Sequence, residues 1–98
     1  MSFKTICMEI LAIAEGMEEG TVSFTYDNLS SAMKMGHPAE FLMEALDEVF
    51  DEIQNETIPA KGKAASLLKS LKRIQRSFKI KELASPIKSL TAYLEQLA

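Results

Sequence analysis

The chain has no tryptophan, one cysteine and one histidine, and each scarcity removes a chemistry. A lone cysteine closes no disulfide within the chain, so Cys7 fits a reducing compartment and a cytoplasmic location is expected. Lys4 is the sole base within a helical turn of Cys7, which is therefore read as a buried structural thiol rather than a reactive one. A structural zinc site needs four Cys or His ligands, and only Cys7 and His37 exist. The Glu-x-x-His spacing of di-metal bundles is missing too. A hydrolytic triad needs a histidine base beside a nucleophile. His37 instead precedes Pro38 in a turn, where it suits capping a helix or covering the core. The four glycines are scattered, so no phosphate-cradling loop is present. A chain this short also struggles to build the cleft that paired glycosidase carboxylates require. The expectation is no enzyme, no metal and no cofactor.

Long apolar runs are missing as well. Nothing approaches the ~20 residues that span a bilayer. The N-terminal run from Ile6 to Ala14 is broken by Glu9 and lacks a small-residue cleavage site, so it reads as a helix of the mature protein rather than a signal peptide.

What is present is a globular composition, 47% apolar and 26% charged over 98 residues, which argues against wholesale disorder. Residues 1–98 are expected to form a single helical domain. A domain of this size gains from a second subunit. Six methionines suggest an adaptable core or contact surface.

The net charge of -3 conceals a split. Residues 1–58 hold twelve acids and two bases; residues 59–98 hold nine bases and two acids. Either the halves pair with each other or each is aimed at a partner.

Periodicity then sets the elements. Phe3, Ile6, Ile10, Ile13 and Met17 predict a helix from about Ser2, its cap, to Glu19, with Gly20 ending it. A second apolar set, Cys7, Met8, Leu11 and Ala14, widens the apolar surface, as in a helix that is central or shared with another subunit. Thr21 to Tyr26 alternates like a strand but has no partner in the chain. It is expected to be an extended link inserting aromatics into the core; a short hairpin or an intersubunit strand pair is the alternative.

Asp27 or Asn28 caps a short helix from Leu29 to Met35, closed by Gly36 in a left-handed conformation. Pro38 starts a third segment that runs to about Asn55. Leu42, Leu46, Val49 and Ile53 form its stripe, with Ala45 and Phe50 beside them, while Glu40, Glu44, Asp47, Glu48, Asp51 and Glu52 take the other side. A connection through Pro59 and Gly62 leads to a fourth helix starting near Ala64, with Leu67, Leu71, Ile74 and Phe78 inward. Ser85 is expected to cap the last helix before Pro86, and Ile87, Leu90, Leu94 and Leu97 form its stripe. The fold class is therefore all-α: a compact bundle of four to five helices with one short extended segment at residues 21–26.

Leu29 to Ala32, Gly36, Leu42 and Ala45 also match the loose spacing of a helix-turn-helix. The helix that would then read DNA exposes Glu40, Glu44, Asp47 and Asp51, which phosphates repel, so a helical corner without that role is the better account. Function is reached largely by elimination. The leading expectation is a non-enzymatic regulatory or adaptor protein acting through protein–protein binding, by a basic face of Lys69, Lys72, Arg73, Arg76 and Lys79 or an acidic face of Glu40, Glu44, Asp47 and Asp51. A homodimer interface, if formed, is expected on the first and last helices. The alternative is a nucleic-acid-binding regulator using the basic helix 64–81, a reading that gains if that face is uncovered and loses if the acidic helix covers it.

Overall fold

A computed structural model describes residues 2–25 and 36–97. The short helix expected at 29–35 lies outside them, as do Tyr26, Met33, Lys34 and Met35.

Helix α1 (Phe3–Glu19) begins and ends as its sequence dictates. The Ser2 hydroxyl accepts a hydrogen bond from the Thr5 amide at 3.1 Å, satisfying one donor of the first turn. Gly20 takes φ 85°, and the Thr21 and Val22 amides both donate to the Gly16 carbonyl. The link that follows bends at Thr21 and Val22 and runs without regular structure to Thr25, whose amide donates to the Phe78 carbonyl at 2.9 Å. Phe24 leaves this link to meet Phe78 edge-on, at a ring separation of 6.4 Å. Among the described residues there is no strand.

Gly36 is left-handed, φ 76°, a conformation that glycine adopts without steric cost. His37 then caps α2 (Pro38–Asp47): its Nδ1 accepts from the Ala39 amide at 3.1 Å. The expected single helix to Asn55 is instead two. Val49, with φ -117° and ψ 19°, leaves helical geometry, and α3 (Phe50–Asn55) begins after it. The apolar period runs through this break because Leu46 and Val49 both stay buried on either side of the corner.

Helix α4 (Lys61–Phe78) starts three residues earlier than Ala64 and stops before Lys79, which is left-handed at φ 50°. The basic segment 64–81 is therefore not one helix; Lys81 opens a 3-10 turn (Lys81–Leu83). Ser85 is not a cap. Helix α5 (Ala84–Gln96) follows the 3-10 turn directly, with Ser85 already inside it and Pro86 in its first turn, where a missing N–H costs nothing.

The helices close a ring: α1 packs on α2 and α5, α2 on α4, and α4 on α5. Ile6, Ile10, Leu42, Leu67, Leu71, Phe78, Ile80, Leu83 and Leu90 fill the centre with at most 1% exposure. Each such side chain contributes about 1.5–3 kcal/mol by leaving water. The chain is an all-α bundle.

Candidate functional site

The four acidic candidates do not line one groove. Glu44 lines a groove of about 200 Å³ between α2 and α4, together with Phe41, Glu48 and Arg73. Asp47 lines a different groove, between α1, α2 and α3. Glu40 and Asp51 are exposed and line neither.

The basic candidates divide as well. Lys69, Lys72, Arg73 and Arg76 all lie exposed on α4, and none is within ion-pair distance of a carboxylate among the described residues. Lys72 and Arg76 border a groove of about 660 Å³ between α4 and α5, whose floor includes Ala84 and Ile87 and whose far edge is Lys88. Arg73 faces the other way, towards Glu44 and Glu48. Lys79 leaves the set: as the cap residue it lines a fourth groove with Thr21 to Thr25, Lys81 and Glu82.

The ion pairs sit elsewhere. Lys63 Nζ donates to Glu52, and Lys4 Nζ donates to Glu56 at 2.8 Å, tying α3 and the residue after it to α4 and α1. The hydrogen bond from Lys63 lowers the Glu52 pKa, and that from Lys4 lowers the Glu56 pKa.

The groove between α1, α2 and α3 is the surface that sequence reasoning missed. Cys7, Met8, Leu11, Met43, Leu46, Asp47, Phe50 and Ile53 line about 290 Å³. Met8 is 45% exposed, Met43 38% and Phe50 54%. The sequence did signal half of it, since Met8 and Leu11 form the surplus apolar set of α1. Phe50 gave no such sign; it belongs to a core stripe if the helix runs straight, and the break at Val49 turns it outwards. Beneath the groove, the buried Cys7 thiol has its pKa pushed up to about 12 by loss of solvent and, secondarily, by the Glu52 carboxylate. A thiol so held is protonated and a poor nucleophile.

Comparison with models of known protein families, with characterised proteins and with solved structures finds no match to this chain. The case for function therefore rests on its own surfaces. Among the described residues, no three His, Cys, Asp or Glu side chains are grouped to hold a metal ion, and no helix is long and apolar enough to cross a membrane.

Proposed function

We propose that the chain is a non-enzymatic regulatory or adaptor protein that works by docking on another protein through the α1–α2–α3 groove. The observation that carries this reading is the convergence of Met8, Met43 and Phe50, all substantially exposed, on one groove. Single exposed apolar residues are ordinary, but a contiguous set marks a contact surface. Methionine suits the task because its unbranched side chain adapts to what it meets. The native mass of the chain in extracts of its own cells tests the reading. The wild type should migrate well above its monomer mass of 10.9 kDa, and Met43→Ser/Phe50→Ser should migrate lower while staying folded. An unchanged migration of the folded variant contradicts it.

A second reading has its own support. Lys69, Lys72, Arg73 and Arg76 are uncovered, and Lys88 joins them across the α4–α5 groove. Such a surface can lie along a phosphate backbone, and with no aromatic lining that groove it suits backbone contact rather than base stacking. Duplex DNA and RNA binding over a salt series tests it. Each phosphate neutralised on duplex DNA should contribute a slope of about -0.9 in log K against log salt, and Lys72→Ala/Arg73→Ala/Arg76→Ala should abolish binding. No binding at low salt removes this reading.

A further inference from the structure

The α1–α2–α3 groove has a distinctive electrostatic setting. All three elements that build it belong to residues 1–58, where acids exceed bases by ten. Asp47 is the charged side chain in its lining. Exposed acids flank it at helical spacing: Glu15 stands one turn beyond Leu11 on α1, and Glu40 one turn before Met43 on α2. Of the two bases in this half, Lys4 is engaged by Glu56 and Lys34 lies outside the described residues. The result is an apolar floor inside a negative rim. Such a rim draws cationic groups and repels phosphates.

The groove has room for a few protruding side chains rather than for a whole protein face. Its two walls are helices, with Met8 and Leu11 three residues apart on one and Met43, Leu46 and Asp47 within a turn on the other. That geometry takes apolar anchors repeating at i, i+3 and i+4, the pattern of a helix laid into a groove. We infer that the occupant is one amphipathic helix of a partner protein, apolar on the inserted face and rich in lysine or arginine along its flanks. The inference rests on the docking reading above and specifies its partner. A second copy of this chain does not supply that helix. Its basic helix α4 already buries Leu67, Leu71, Ile74 and Phe78 in its own core.

The test uses the full chain with methyl-labelled methionines and three synthetic peptides. The probe is a helix-forming peptide of about 14 residues with leucine at i, i+3, i+4 and i+7 and lysine elsewhere. One comparison peptide carries glutamate in place of lysine, and the other has the probe's composition scrambled to break its apolar stripe. The lysine probe should bind one-to-one and shift the Met8 and Met43 methyl signals while leaving that of the buried Met17 in place. The glutamate and scrambled peptides should bind at least about tenfold more weakly, and Phe50→Ser and Asp47→Asn should each weaken the probe by about three- to tenfold. If the glutamate peptide binds the same methyls as tightly, the cationic partner is overturned while docking at the groove stands. If the scrambled peptide binds equally, or no peptide moves Met8 and Met43, the helical occupant is overturned, and the docking reading is then judged by the native-mass comparison alone.

Discussion

Val22 occupies the space that a side chain on Gly16 would need. A Cβ at position 16 would lie 2.5 Å from Val22 Cγ2 and 3.1 Å from Thr21 Oγ1, which itself donates to the Gly16 carbonyl at 3.2 Å. Gly16 is thus where the returning link lies flat against α1, although glycine costs a helix interior up to about 1 kcal/mol.

Gly16→Ala should therefore destabilise the fold by about 1–3 kcal/mol despite its better helix propensity, because valine is stiff and cannot swing aside. In a Val22→Ala background the same change should be neutral or stabilising. Urea unfolding of the four proteins of this cycle checks it, and an equal cost in both backgrounds contradicts the contact.

The cap of α2 gives a second prediction. His37→Ala removes the acceptor for the Ala39 amide and should cost about 0.5–2 kcal/mol, whereas His37→Asn, which keeps an acceptor, should recover much of the loss. Thermal melts at a fixed pH distinguish the two. Incomplete recovery is expected, because the His37 ring also packs edge-on against Phe24 at 5.0 Å.

These local devices were legible in the sequence. Ser2, Gly20, Gly36 and His37 each sit where their backbone or side-chain chemistry is needed, and the core stripes of α1 and α4 follow from periodicity alone. The corner at Val49 was not legible, because Leu46, Val49 and Ile53 keep helical spacing whether or not the backbone turns between them. What depends on that corner was hidden with it: the outward Phe50 and the groove it lines with Met8 and Met43. Ser85 misled for a related reason. A serine before proline reads as a cap, but the 3-10 turn ending at Leu83 hands the chain directly into α5.

Acid should loosen the bundle through two identified pairs. Glu52 and Glu56 have pKa values held below their ordinary 4.5, chiefly by the hydrogen bonds from Lys63 and Lys4. The unfolded chain then binds more protons than the folded one as pH drops. The stability these pairs contribute is complete above the ordinary value and is lost as pH falls through the lowered values. Glu52→Gln/Glu56→Gln should show a flatter dependence of the urea midpoint across that range, and added salt should narrow its difference from wild type.

Alkali acts through Cys7. Its folded pKa of about 12 stands above the ordinary 9.0, so stability is fully present below 9.0 and is lost as pH rises from there towards about 12. Subtracting the profile of Cys7→Ala isolates this loss. Iodoacetamide should label the native thiol slowly and the urea-unfolded thiol quickly, and fast native labelling contradicts the buried placement.

Core and groove should separate cleanly under mutation. Leu42→Ala, at a site fully closed to water, should cost about 2–5 kcal/mol. Phe50→Ser, at a site more than half exposed, should cost less than about 1 kcal/mol. A large loss at Phe50 would make that side chain part of the core.

The most direct measurement of the central claim is site-specific photocrosslinking in the cells that make the protein. A photoreactive side chain is placed in turn at Met8, Met43, Arg73 and Arg76. Docking through the groove predicts a discrete protein adduct from Met8 and Met43, lost on adding Phe50→Ser, and none from Arg73 or Arg76. Adducts confined to Arg73 and Arg76, or no groove adduct that depends on Phe50, would contradict it.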